Sequence, residues 1–530
     1  MPFIAKPRRS VWMHGFESEE PSPAQRSEQA KRLSEQIGVE VEPPPVPRID
    51  DLKLRPPRIK PPDAIAEFCF TDNYERAQHA KGDRLLEIRG IFDNPPDVVA
   101  HPQTEQELEA TLSWCSEKGY VAIPYGGGSS VVDGVTPPDG YEAVVTIDMD
   151  QFDRVLEIDA TSRAARIQAG VYGPALEDQL RPHGLTLRHF PQSFTMSTLG
   201  GWIATRSGGH YATNQTHIDE FVESARMLTP AGWWEARRLP GSGAGPDPNR
   251  IVIGSEGIFG VITEAWMRVQ ARPRFRGTAG VTFPSWEAGY EATRRIVQAK
   301  LWPANLRLLD PLLSRESANL DGTRSLLIIG FESAEVPQDQ FIRQAVAIAR
   351  DAGGQIDDAE IITSGSGEPT GRGGAVGAWR EAFISVGGAI SSGIGMVTGT
   401  FETAITWDRW PEFDAQVRAA ALQALREICG GGTVNCRFTH VYTDGPAPYY
   451  SYAGLYRPGL TAKDQMALKR AASDAIMKAG GTITHHHAVG RMHRPWYDHE
   501  RPDTFAAALR AVKQTLDPNG ILNPGVLIDP

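Results

Sequence analysis

Apolar residues recur at helical spacing between 104 and 119, where Leu108, Leu112 and Cys115 fall on one face. Thr104 with Glu107 three positions later reads as a capping box that opens this helix, and Gly119 as its stop. Short apolar runs at 121–124 and 142–148 predict buried strands, and 154–170 predicts a hairpin. Helical periodicity returns over 22–37, 287–300, 338–352, 413–428, 462–478 and 504–516, with strand-like runs at 325–332 and 436–442. The stretch 41–62 is too rich in proline for a helix and reads as an extended arm. Ile49 and Leu52 punctuate it, so it is expected to wrap an ordered body rather than hang free.

The pattern changes along the chain. A glycine-rich α/β part precedes an α+β part, and 530 residues exceed what one simple core accommodates. The formal net charge of −11 argues against binding a nucleic-acid backbone, which needs clustered Lys and Arg. The four cysteines form no CxxC and suit neither a zinc site nor a disulfide frame. No secretory leader and no membrane-spanning run is read, so a cytoplasmic protein is expected.

Three glycine-rich stretches carry the candidate chemistry. The first, PYGGGSS, follows a strand: Pro124, Tyr125, Gly126, Gly127, Gly128, Ser129 and Ser130. Its glycines let several backbone N–H groups converge, and its serines add donors, which makes a phosphate cradle. It is neither a Walker loop nor a GxGxxG turn opening a helix. The second stretch contributes Gln192, Ser193, Thr195, Ser197 and Thr198, then Thr205, Arg206, Ser207 and Gly208. The third contributes Glu256, Gly257, Gly260, Val261 and Ile262. Three small-residue loops so placed suit one extended ligand such as a dinucleotide; three separate structural turns are the alternative.

The order of these motifs, with LDPNGILNPG at 516–525, resembles the FAD-binding class of vanillyl-alcohol oxidase and p-cresol methylhydroxylase. Within that class LRLLD (306–310), FETAITWDR (401–409), CRFTHVYTDGPAPYYSYAGLYR (436–457) and HHHAVG (485–490) resemble the alkyldihydroxyacetonephosphate synthase family. The resemblance implies an α+β protein in four parts. These are a helical, proline-rich arm (1–92), a p-cresol methylhydroxylase-type FAD-binding domain (93–272), an α+β cap (273–445) and a helical C-terminal segment (446–530). It implies FAD held along the three loops, with the pyrophosphate on Pro124–Ser130. No histidine stands in or just after the first loop, so the FAD is expected to be noncovalent.

The resemblance further implies exchange of the acyl group of acyl-dihydroxyacetone phosphate for a long-chain alcohol, with no net redox change and FAD as the electrophile. Tyr449 falls on the catalytic tyrosine, His485, His486 and His487 on an essential triple histidine, and Arg409 and Arg307 on arginines that bind substrate. Forked guanidinium donors suit a phosphate dianion, and histidine suits proton shuttling near neutrality. A homodimer with peripheral membrane contact is expected, without a nucleic-acid partner. The chain departs from the family at Ala488, where glycine is usual. The rival readings are a 2-hydroxy acid dehydrogenase or oxidase, a flavin- or lipid-binding protein without catalysis, and a metal site on His485, His487 and His493. Members of the first typically carry Glu-His-Gly where this chain has His-His-His-Ala. Strand alternation at 485–487 would put His486 on the opposite side from its neighbours.

Overall fold

The computed structural model describes residues 7–13, 15–37, 40, 42–43, 45–80, 92–365, 375–378, 396–455 and 462–529. The chain forms two compact units, one of Met1–Ser207, His217–Gln270 and His486–Pro530, the other of Gly208–Thr216 and Ala271–His485.

The first unit holds two sheets. Strands β1 (Cys69–Phe70), β2 (Val98–Ala100), β3 (Val121–Tyr125) and β4 (Val144–Asp148) make a four-stranded sheet in the order β1-β2-β4-β3. β2, β3 and β4 run parallel. Such strands are covered on both faces, which is why they read as continuous apolar runs. The helix Glu105–Lys118 begins as expected: Thr104 accepts from the Glu107 amide, and Gly119 ends it at φ 68°. The capping box is not closed, since the Glu107 carboxylate accepts from the Gln103 amide instead.

The second sheet joins β5 (Val155–Asp159), β6 (Ala164–Gln168), β7 (Val222–Thr229), β8 (Gly232–Glu235) and β9 (Val261–Arg268) in the order β5-β6-β9-β7-β8. The hairpin expected at 154–170 is β5 and β6. Trp233 and Trp234 lie on the β7–β8 hairpin, and Trp233 is exposed. The Arg226 guanidinium lies 3.7 Å from its ring centroid. The described part of the arm packs on the body: Leu52 is buried with Ala77 and Phe92, and Arg55 and Arg58 both grip the buried Asp97.

The second unit is built on one seven-stranded sheet. Its strands are β10 (Phe275–Phe283), β11 (Asn305–Leu309), β12 (Ser325–Ser333), β13 (Ile362–Ser364), β14 (Met396–Glu402), β15 (Gly432–Val441) and β16 (Pro446–Leu455). Their order is β13-β10-β12-β11-β15-β16-β14, with antiparallel neighbours. Helices Trp286–Gln298, Asp339–Asp351 and Trp410–Cys429 contribute buried apolar faces to its core. β16 pairs with β14 on one side and β15 on the other, so residue 446 falls inside this sheet.

Residues 485–487, read above with strand alternation, form bends instead. Ala488 adopts φ 71° and Gly490 φ 55°, and two left-handed residues so close break extended pairing.

Candidate functional site

In the first unit the glycine-rich stretches pack against one another. A Cβ at Gly126 would collide with the Thr198 hydroxyl, and one at Gly127 with the Met196 carbonyl. Glycine is required there by close backbone approach, which lets the loop after β3 lie directly on residues 196–198. Among the described residues, no protein acceptor meets the amides of Gly126–Ser130. The Ser130 hydroxyl is committed elsewhere, accepting from the Val132 and Gly134 amides. Amides so left on a loop of three glycines and two serines fit a pyrophosphate.

The second stretch is largely self-satisfied. Ser197 Oγ donates to the Ser193 carbonyl and accepts from Trp202 Nε1, while Thr198 caps the helix Leu199–Thr205. Thr205 bonds back to the Gly201 carbonyl. Arg206 pairs with the buried Asp219, and Ser207 meets His189 Nε2 at 2.8 Å. Gln192 and Thr195 are exposed on the preceding turn, and Gly208 belongs to the second unit. Of this set, Gln192, Thr195 and Arg206 are exposed, and the Ser197, Thr198, Thr205 and Ser207 side chains hold the loop in shape.

The third stretch reaches the triple-histidine segment. The Glu256 carboxylate accepts from the Val489 amide at 2.9 Å and the Gly490 amide at 2.7 Å. Burial pushes this carboxyl up to about 7, against those two bonds and the nearby Arg491. Gly257 packs at φ 77° beside Pro124. Gly260 lies too close to the Leu228 carbonyl for any side chain, and Val261 and Ile262 are buried positions of β9. The Arg491 and Met492 amides both donate to the Val132 carbonyl, and Arg491 Nη1 donates to the Asp133 carbonyl. Asn523 donates to the carbonyls of Gly134 and Glu256. The first loop, the third loop, residues 489–492 and the C-terminal LNPG are therefore one hydrogen-bonded assembly. Asn523 and Arg491 were missed at the sequence level, although Asn523 sits inside a quoted motif.

In the second unit Tyr449 lies on β16, buried, opposite Glu402 of β14 and Arg437 of β15. The Arg437 guanidinium stands 4.2 Å from the Tyr449 ring centroid. Arg307 on β11 is also buried and donates to the His210 carbonyl at 3.5 Å. Burial, and then the charge of Arg437, push the Arg307 guanidinium down to about 9. Two guanidinium groups thus repel each other inside one buried region, near the ring of Tyr449.

Arg409 has a different setting. Its exposed guanidinium donates to the carbonyls of Ala479 and Gly480, at the C-terminal end of the helix Ala462–Ala479. That is where a cation complements the helix dipole. Arg437 was not singled out from sequence, because a cation inside an apolar strand gives no signal until its neighbours are known.

His485 Nε2 meets the Tyr442 hydroxyl at 2.6 Å, and Tyr442 in turn meets the Thr216 hydroxyl at 2.8 Å. The His485 amide donates to Glu402, as does the Thr484 hydroxyl. His485 is thereby held by its backbone on β14 and by its ring on Tyr442. His486 and His487 belong to the first unit, their rings 4.8 Å apart and edge-on. His493 is buried, with Nδ1 2.9 Å from the Ala488 carbonyl. Of the tyrosines around Tyr449, Tyr450 donates to Asp414 and Tyr452 is buried, while Tyr456 lies outside the described residues.

Residues 96–235 match the FAD binding domain model, and residues 272–527 match the model for the C-terminal domain of FAD linked oxidases. The chain is 28% identical to an alkyldihydroxyacetonephosphate synthase from Dictyostelium discoideum, over 91% of this chain and 83% of that protein. A solved alkyldihydroxyacetonephosphate synthase superposes with a TM-score of 0.75 at 26% identity, covering 91% of this chain and 89% of the other. Substrate-bound p-cresol methylhydroxylase, at 15% identity, shares the fold with a TM-score of 0.66, over 87% and 94% of the two chains.

Proposed function

We propose that this chain, an FAD-dependent enzyme related to the alkyldihydroxyacetonephosphate synthases, exchanges the acyl group of acyl-dihydroxyacetone phosphate for a long-chain alcohol. The products are the alkyl ether and a fatty acid, so oxidation states are unchanged overall. The observation that carries the reading is the buried pair Arg307 and Arg437 beside Tyr449. Two guanidinium groups offer forked donors to a phosphate dianion, and the bound charge relieves their mutual repulsion.

FAD, when bound, supplies the electrophile on which the carbon–oxygen bond is exchanged. The protein supplies positioning and proton handling. Tyr449, its ring lying against the Arg437 guanidinium, is the first proton-handling group. His485, oriented by Glu402 through its amide and by Tyr442 through its ring, is the second proton-handling group. Arg409 serves chiefly to hold the helix Ala462–Ala479, and its effect on substrate is indirect. The flavin is bound noncovalently, and Gly126–Ser130 hold its pyrophosphate.

The test is incubation of purified protein with acyl-dihydroxyacetone phosphate and labelled hexadecanol, followed by isolation of the labelled ether. Flavin bleaching by lactate or glycolate, with no ether formed, would instead establish the hydroxy acid dehydrogenase reading. The same proposal makes the chain a homodimer that draws its substrates from a membrane surface. Among the described residues no helix is long and apolar enough to cross a membrane. Light scattering and vesicle co-sedimentation check these two points.

A further inference from the structure

Arg9 lies near the start of the chain, far in sequence from every motif above, yet its side chain reaches the first glycine-rich loop. Nη2 donates to the Gly126 carbonyl and Nη1 to the Gly127 carbonyl, each at 3.2 Å. Nη2 also bonds the Tyr172 hydroxyl, and Nη1 lies 3.5 Å from the Tyr125 hydroxyl. Asp148, at the end of β4, is 3.9 Å away and supplies the nearest negative charge.

The backbone that carries Arg9 is fixed as firmly. Its amide donates to the Tyr74 hydroxyl, and its carbonyl accepts from Gln78 Nε2. Residues 8–17 close on themselves through a bridge between Arg9 and Phe16 and through bonds from Ser10 to Gly15 and from Glu17 to Arg8. Arg9, Gly15 and Phe16, with Gly127, Gly128 and Tyr172, line a cavity no larger than a water molecule.

The consequence follows from peptide geometry. In a trans peptide the C=O and the following N–H point in opposite directions. A guanidinium that captures the Gly126 and Gly127 carbonyls therefore turns the Gly127 and Gly128 amides away from itself. A Cβ would meet the Met196 carbonyl at Gly127 and the Tyr125 hydroxyl at Gly128, so each peptide is confined from the sides as well. The two peptides cannot flip without abandoning a charged donor, and their dipoles are set with the amide end outward before any ligand arrives.

We propose that Arg9 is a positioning residue for the cofactor, presetting the Gly127 and Gly128 amides to receive the FAD pyrophosphate. The proposal rests on the assignment of Gly126–Ser130 to that pyrophosphate. Arg9 touches no phosphate oxygen itself; it acts through the loop.

The experiment titrates FAD and riboflavin separately into full-length protein stripped of flavin, for wild type, Arg9→Met, Arg9→Lys and Gly127→Ala. Riboflavin lacks the pyrophosphate, so a general folding defect weakens both ligands and a defect in amide orientation weakens FAD alone. Arg9→Met is expected to raise the FAD Kd about 10- to 100-fold while the riboflavin Kd stays within about twofold. Arg9→Lys, which cannot fork to two carbonyls, should fall between it and wild type, again for FAD only. Should Arg9→Met fail to fold, the FAD-to-riboflavin ratio of Arg9→Lys decides. Equal weakening of both ligands by either variant overturns the proposal. So does an unchanged FAD Kd in the arginine variants when Gly127→Ala loses FAD. If Gly127→Ala leaves FAD binding intact, the pyrophosphate assignment itself falls.

Discussion

At the scale of single residues, position in a charge network decides what a side chain can do. His101 is buried between two carboxylates, with Nδ1 2.9 Å from Asp150 and Nε2 3.2 Å from Glu75. Burial opposes its charge, but these bonds and the nearby Asp148 outweigh that and raise it to about 10. The folded state therefore holds a proton that the unfolded chain, titrating near 6.5, releases. The stabilisation is fully present below about pH 6.5 and is lost as pH rises towards 10, an effect on the order of 5 kcal/mol. Thermal unfolding followed from pH 6 to 10 should show this decline, and Asp150→Asn should flatten it; an unchanged slope would remove His101 as its source. Tyr449→Phe makes a second test at this scale. Ether formation should fall at least about 100-fold with FAD still bound, measured as product formed per flavin. Tyr449 and Arg307 could be singled out from sequence because they sit in recognisable motifs. The network around His101 was not, since Glu75, His101 and Asp150 are scattered in sequence and meet only through the fold.

At the scale of elements, glycine serves two purposes here that the sequence does not separate. Gly119 ends a helix at φ 68° with open space where a Cβ would stand. Gly127 stands where a Cβ would enter the Met196 carbonyl. Gly119→Ala should cost about 1 kcal/mol, the usual penalty for a left-handed alanine, and leave FAD affinity unchanged. Gly127→Ala should displace the loop and abolish stable FAD binding. Denaturant melts paired with flavin fluorescence distinguish the two, and similar behaviour of both variants would contradict this account. The longer helices, and the strands at 121–125, 144–148, 155–159, 164–168, 325–333 and 432–441, were predicted within a few residues, because periodicity reports which face is buried. The segment 485–487, read with strand alternation, departs from it for a physical reason. Its alternating pattern looks extended, but Ala488 takes a left-handed conformation, and the Val489 and Gly490 amides go to Glu256 instead of a neighbouring strand.

At the scale of the whole molecule, the chain leaves its first unit at Ala271 and returns at His486. The returning segment is structural as much as functional: Leu522 pairs with Ala122 on β3, and Lys513 is buried against Ile258, Asp517 and Leu522. Linear reading does not reveal that a lysine on a C-terminal helix is interior. The helix 503–516 looks amphipathic and solvent-facing, and only the returning path places Lys513 over the third glycine-rich loop. Burial pushes the ammonium down from its ordinary value, while Asp517 holds it up. Removing one member of a buried pair leaves the other charge uncompensated, which costs about 3–5 kcal/mol. Lys513→Met should therefore lower stability by that amount and release FAD at a lower denaturant concentration. The double variant Lys513→Met with Asp517→Leu should recover part of the loss, because the stranded carboxylate is gone. If flavin release tracked unfolding of the second unit instead, Lys513 would have no part in closing the FAD-binding unit. Coincident loss of flavin and of first-unit structure, monitored by flavin fluorescence and by hydrogen exchange over 121–148 and 486–529, is the expected result.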